Sequence, residues 1–137
     1  MARRNTPATG LLAVDSSCWL EVFDGGTRAA LYEAVLAQPE ALVVPIITVY
    51  EVYQYLVRVK GAEAAMRAAL YMQRGRVIDL DSNLCLAAAG SAADNGLPMA
   101  DSLIYATAQA FEATLWTQDA HFQKLPGIRY FAKAAMV

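Results

Sequence analysis

Leu11-Leu12-Ala13-Val14-Asp15-Ser16-Ser17 sets the architecture of this 137-residue chain. Four apolar residues in a row read as a strand buried on both faces, and the polar residues after them supply helix-capping side chains, so strand passes to helix at Asp15. The same alternation recurs downstream. Gly25-Gly26 ends the first helix, Thr27 is placed to cap a second one to about Gln38, and Ala41-Leu42-Val43-Val44-Pro45-Ile46 reads as another buried strand. Thr48 opens a helix to about Lys60, Gly61 stops it, and residues 62–73 complete a helical hairpin. Arg76-Val77-Ile78-Asp79-Leu80 makes a third strand, Asp81 or Ser82 caps a helix to about Asn95, and Gly96 with Pro98 forces a loop. Asp101 opens the next helix, to about Glu112; Thr114-Leu115-Trp116-Thr117 is a fourth strand and Ile128-Arg129-Tyr130-Phe131 a fifth. Strands alternating with helices predict an α/β fold with a doubly wound, mostly parallel sheet of four to five strands.

Residues 1–9 are polar, carry Pro7 and lack periodicity, so they read as a flexible arm, with residues 10–137 as a single domain. A composition 57% hydrophobic and 18% charged leans apolar, which points to surface covered by a partner, an oligomer first of all. The formal net charge of -2 gives no broad attraction to nucleic acid, so phosphate contacts must come from a local cluster of Arg and Lys. Cys18 and Cys85 have neither metal-site nor disulfide spacing and are expected as two buried free thiols in a reducing compartment. The apolar stretch after Arg3-Arg4 is far shorter than a signal-peptide core, and no window reaches the roughly 20 apolar residues of a membrane span. The expected location is the cytoplasm.

The acidic residues fall in a pattern. Asp15 ends the first strand, Asp119 lies just beyond the fourth, Asp101 starts a helix feeding back into the sheet, and Glu51 sits about a turn into the helix after the second strand. Open α/β sheets bind ligands beyond the carboxyl ends of their strands, so residues leaving different strands converge there. Singly, Asp15 and Asp101 are also good helix caps, Glu51 an ordinary solvated helix residue and Asp119 a turn aspartate. Together, four facing carboxylates repel and raise one another's pKa, a state that a divalent cation relieves. All-oxygen ligands suit Mg²⁺ or Mn²⁺, and the chemistry that follows is phosphodiester hydrolysis by a metal-activated water. A chain with one histidine, no nucleophile elbow, no P-loop and no dinucleotide fingerprint agrees with a reaction that needs no side-chain nucleophile.

At these residues the sequence resembles a PIN domain, and within that group a VapC-type toxin ribonuclease. Val14-Asp15-Ser16-Ser17 resembles the family's opening strand with its first acidic residue, and Thr48-Val49-Tyr50-Glu51-Val52 the segment carrying the second. The stretch from Leu97 to Ala108, with Asp101-Ser102-Leu103-Ile104 at its centre, is similar to the signature around the third. Trp116-Thr117-Gln118-Asp119-Ala120-His121-Phe122 resembles the pattern after the fourth strand, except that His121 stands where many relatives carry a further acid. The resemblance runs from about Leu11 to Phe131 and implies a three-layer α/β/α sandwich. It further implies that Asp15, Glu51, Asp101 and Asp119 bind Mg²⁺ or Mn²⁺ and cleave RNA, with Ser16, Thr117 and His121 in support. Thr117 would orient Asp119 or a water, and His121 would contact phosphate or product, or be an ordinary surface histidine.

What the family implies of partners is a homodimer silenced by a cognate VapB-like antitoxin. The antitoxin would lie along the helical hairpin on Tyr53, Leu56, Val57, Met66, Leu70 and Tyr71, unless core packing claims them. Arg28, Arg58, Lys60, Arg74, Arg76 and Lys124 are candidates for RNA phosphates, with solvated surface positions as the alternative. A receiver-like phosphoacceptor domain, the rival small doubly wound fold, would show adjacent acids after the first strand, whereas Ser16-Ser17 follows Asp15 here. A PIN-fold DNA nuclease and an inert PIN-fold protein-binding module remain the alternative functions.

Overall fold

The computed structural model describes residues 9–133, so all but the last residue of the expected N-terminal arm, and the final four residues, lie outside the described part. In chain order the elements are β1 (Leu12–Val14), α1 (Ser16–Phe23), α2 (Ala29–Leu36), β2 (Leu42–Pro45), α3 (Ile46–Lys60), α4 (Ala62–Met72), β3 (Arg76–Ile78), α5 (Ser82–Asn95), α6 (Met99–Ala110), β4 (Thr114–Thr117) and β5 (Ile128–Tyr130). The five strands form one sheet in the order β3-β2-β1-β4-β5, and every pairing is parallel. The chain therefore winds outward from β1 in both directions, and the crevice where the winding reverses lies between β1 and β4.

Parallel strands need helices on both faces, and the apolar runs supply a core to each. Val14, Leu42 and Val44 point to one side, where α1 to α4 contribute Trp19, Tyr32, Leu36, Leu56 and Met72. Ala13, Val43, Leu115 and Ile128 point to the other, against Leu97, Ile104, Tyr105 and Ala108 of the α6 segment, with Phe122 closing the edge; α5 packs on α6. The three layers are thus helices, sheet and helices. Gly96 ends α5 in the left-handed region at φ 66°, which a side chain adopts only under strain, and so turns the chain toward Pro98.

Several boundaries differ from the sequence reading. α6 begins at Met99 rather than Asp101, because Pro98 takes the N-cap position with φ -59° and its carbonyl accepts the first helical bond, from Ser102 N at 2.9 Å. Asp101 therefore occupies the first turn. α3 begins at Ile46 rather than Thr48; buried Thr48 instead turns its hydroxyl back to Pro45 O at 2.7 Å, and Glu51 moves into the second turn. Ala41 belongs to a short 3-10 turn, and β3 ends at Ile78 rather than Leu80. Thr27 does not cap α2, whose N-cap position is Arg28. Asp81 does cap α5, accepting from Leu84 N at 2.8 Å. Cys18 is buried as expected, and its thiol is pushed up to about 12 by that burial, but Cys85 is exposed because α5 buries only Ala88.

Candidate active site

Parallel pairing brings the carboxyl ends of β1 and β4 side by side, Val14 opposite Trp116. Asp15 N donates to Trp116 O at 2.8 Å, which extends the ladder one residue past β1 and fixes the Asp15 side chain at the crevice. Asp15 stands at the N-cap position of α1 but makes no capping bond with its side chain. Its Oδ2 accepts instead from Ser17 Oγ and Thr117 Oγ1, both at 2.9 Å. The Thr117 hydroxyl must send its hydrogen to Asp15, since its oxygen already accepts from Asp119 N at 2.9 Å. Thr117 thus orients Asp15 directly and Asp119 through the backbone, where the sequence reading gave it Asp119 or a water.

Asp119 follows β4 and leads a short 3-10 turn, Ala120–Phe122, with Oδ1 accepting from His121 N at 2.9 Å. The turn carries the imidazole over the carboxylates: His121 Nδ1 is 3.0 Å from Asp119 Oδ1 and 3.2 Å from Asp101 Oδ2. Ligand-type atoms of Asp101, Asp119 and His121 all lie within 4.8 Å of one another. Asp15 and Glu51 stand around this trio rather than in it. Ser16, one residue into α1, donates to Glu51 Oε1 at 2.6 Å and so ties α3 to the same end of the sheet.

The charges feel one another. Burial pushes the Asp15 carboxyl up to about 6, assisted by Asp119 and Glu51 and opposed by its two hydroxyl donors. Asp101 is pushed up to about 7 by burial and then by Asp119 and Asp15, with His121 pulling the other way. His121 is raised above its ordinary value, chiefly by Asp119. Four carboxylates thus share one end of the sheet with one imidazole, an excess of negative charge at a point that solvent reaches through the exposed His121.

The sequence offers Ser17 only as a capping side chain and Gln118 with no role, yet both hold the site together. Ser17 holds Asp15 and accepts from Gln118 N at 3.3 Å, and Gln118 Nε2 returns a bond of 3.4 Å to Ser17 O, latching α1 to the end of β4. Ser17 is near enough in sequence for its hydroxyl to reach Asp15, whereas the partner across the sheet leaves no signal in sequence.

The PIN domain profile matches residues 12–128, from the start of β1 to the first residue of β5. This chain belongs to the PIN-domain family. No curated protein matches it. Among solved structures, this PIN domain is similar to a toxin-antitoxin complex from Klebsiella pneumoniae, with 21% identity, 86% of this chain and 95% of that one covered, and a TM-score of 0.74. It is also similar to the VapBC2 complex of Rickettsia felis bound to a promoter DNA fragment, at 17% identity, 89% and 98% coverage and a TM-score of 0.67. A third likeness is to a VapC toxin of Mycobacterium tuberculosis that cleaves the sarcin-ricin loop, at 19% identity, 75% and 85% coverage and a TM-score of 0.64. At such identities the likeness is one of fold. No helix of this PIN domain among the described residues is long and apolar enough to cross a membrane.

Proposed function

We propose that this PIN domain is a Mg²⁺- or Mn²⁺-dependent endoribonuclease and the toxin of a VapBC-type pair, with Asp15, Glu51, Asp101 and Asp119 as its metal-binding catalytic residues. The observation that carries the proposal is the convergence of Asp15, Asp101 and Asp119 at the β1–β4 crevice, where their charges add to burial in raising the Asp15 and Asp101 carboxyls. The donor set fits the ion: carboxylate oxygens suit a hard divalent cation, and none of the acids is neutralised by Lys or Arg among the described ion pairs of the site. When bound, the ion supplies Lewis acidity toward the scissile phosphate and a water of lowered pKa.

The chain's own residues do the positioning. Ser17 and Thr117 both bind Oδ2 of Asp15 and leave Oδ1 as its oxygen for a ligand; Ser16 aims Glu51; His121 holds Asp101 and Asp119 together and, when protonated, spreads one positive charge over them. Solved relatives described as toxin-antitoxin complexes, and one described as a sarcin-ricin loop cleaving toxin, support RNA as substrate and an antitoxin as partner.

The antitoxin is assigned to the α3–α4 hairpin. An apolar groove of about 590 Å³ runs there between Ile46, Val49, Tyr53, Val57, Met66 and Ala69. Met66, Val57 and Leu70 are exposed and Tyr53 and Tyr71 half-buried, whereas Leu56, a candidate from sequence, is core. A homodimer and a cytoplasmic location complete the proposal. The test is cleavage of structured RNA by the purified chain with Mg²⁺, Mn²⁺ or EDTA, beside Asp101→Asn. Metal-dependent cutting that the variant lacks supports it; cutting of DNA alone, or none with metal shown to bind, overturns it.

A further inference from the structure

Four carboxylates repel the phosphates they are to cleave, and the net charge of -2 offers no compensation, so cations beside the crevice must hold the substrate. Four of the six cations expected from sequence are engaged elsewhere or face away. Lys60 is tied to Asp24 at 3.6 Å and to Phe23 O at 3.0 Å. Arg58, in the last turn of α3, and Arg74, just ahead of β3, lie toward the amino ends of the strands, stacked on Tyr55 and Tyr71. Arg76 lies over Phe111, which precedes β4 and so marks the opposite end of the strands from Asp15.

Arg129 is placed differently. Strand register aligns Val14, Trp116 and Arg129 across three neighbouring strands, one step before Asp15, and Phe131 N donates to Thr117 O at 2.9 Å, the same Thr117 whose hydroxyl holds Asp15. The exposed Arg129 guanidinium lies 5.8 Å from the Trp116 ring centre and 5.1 Å from that of Phe131. The two rings are half-buried and 5.1 Å apart, and Tyr32 meets Phe131 edge-on at 5.5 Å, so the shelf beneath the arginine is rigid. Arg129 makes no ion pair among the described residues. A guanidinium backed by rings on one face keeps its second face for stacking and its N–H edge for a bidentate phosphate contact. That combination fits an unpaired nucleotide, which nucleic-acid-binding proteins hold by stacking the base and pairing the backbone charge.

We infer that Arg129, backed by Trp116 and Phe131, holds an unpaired nucleotide of the substrate RNA beside the bond to be cleaved. This rests on the ribonuclease reading above. Binding of a fluorescent single-stranded RNA oligonucleotide is measured in the Asp101→Asn background across a salt series, and steady-state cleavage in the otherwise native chain. Arg129→Ala weakens binding about ten-fold at low salt, lowers the slope of log affinity against log salt by about one, and raises KM more than it lowers kcat. Arg129→Met, which still covers the rings, keeps the melting temperature of the parent and binds RNA like the alanine variant. Arg129→Lys restores the salt slope without full affinity, since it keeps the charge and gives up the planar stack.

Parental affinity, KM and salt slope in all three variants overturn the inference, and that is also the result if the shelf serves an acidic peptide instead. RNA that binds through Arg129 but is never cut refutes the ribonuclease reading alone. RNA that is cut with a KM indifferent to Arg129 refutes the shelf alone, and a chain that neither binds nor cuts RNA overturns both.

Discussion

The crevice between β1 and β4 and the groove on the α3–α4 hairpin are both incompletely satisfied, one in charge and the other in apolar surface. At the crevice, four wholly or partly buried carboxylates stand without a Lys or Arg among the described ion pairs, and burial, aided by their mutual repulsion, raises the pKa values of Asp15 and Asp101. On the hairpin, Tyr50, Val57, Val59, Met66 and Leu70 account for five of the eight large exposed hydrophobics among the described residues, a patch of the kind that binding partners cover. The contrast teaches that the first region is rigid and costly to the fold, whereas the second is cheap to expose and open to revision. Substitutions should therefore act on activity in one and on association in the other.

The largest expected effect comes from Asp101→Asn. Loss of one ligand charge at constant volume should reduce RNA cleavage by about a thousand-fold or more, several kcal/mol of transition-state stabilisation. Far-ultraviolet circular dichroism should remain native, and a variant that still cuts at the parental rate would remove Asp101 from the site. Thr117→Val is smaller: it keeps the β-branched shape and breaks the hydroxyl bridge between Asp15 and Asp119, and outer-shell changes of this kind cost about 10- to 100-fold. The loss should appear in kcat and in metal affinity, measured by Mn²⁺ titration, and be absent from the melting temperature beyond a few degrees.

Stability against pH sharpens the contrast further. Folded Asp15 holds its proton to about pH 6 against 3.8 for the free group, so folding is favoured most below pH 3.8, weakens as pH rises toward 6, and stays weakened above it. Asp101 extends the decline to about pH 7, and His121, raised in the fold, also gives its support at low pH and loses it as pH rises. From the two carboxyls, with Asp101 discounted for its partial exposure, the metal-free chain should melt higher at pH 5 than at pH 8, by about 1–2 kcal/mol or roughly 3–8 °C. Mn²⁺ should recover the difference at pH 8 and do so poorly in Asp15→Asn. A melting temperature that rises with pH would contradict the charge assignment.

The smallest expected effect on the fold is at the hairpin. Met66→Glu, on a residue 48% exposed, should change stability by no more than about 0.5 kcal/mol while weakening capture by a VapB-type antitoxin ten-fold or more, measured by isothermal titration. Unchanged antitoxin affinity would move the partner off this groove.

Much of this was legible from residues alone. Apolar runs at Leu11, Leu42, Val77 and Leu115, each separated from the next by helical pattern, specify the parallel sheet because a strand buried on both faces shows little alternation. The four acids stand out because each sits at a strand end or an early helical turn. Helix starts were less legible: Thr27, Thr48 and Asp101 all look like caps, yet Arg28, Pro45 and Pro98 hold those positions. Capping is worth only about 1 kcal/mol, and strand docking and proline geometry override it. Because α5 buries only Ala88, Cys85 likewise lies outside the core that its apolar neighbours promised.

The sequence by itself determined the layer order, the alternation of elements and which carboxylates arrive at one end of the sheet, because periodicity and chain order are local properties. Only the tertiary structure decided how those carboxylates are held. Thr117 reaches Asp15 across 102 residues, Ser16 reaches Glu51 across 35, His121 turns onto Asp101, and Arg129 settles over Trp116 beside them. Each of these is a contact between strands or helices that are distant in the chain, and the register of a parallel sheet, which fixes them all, comes into being only when the sheet closes.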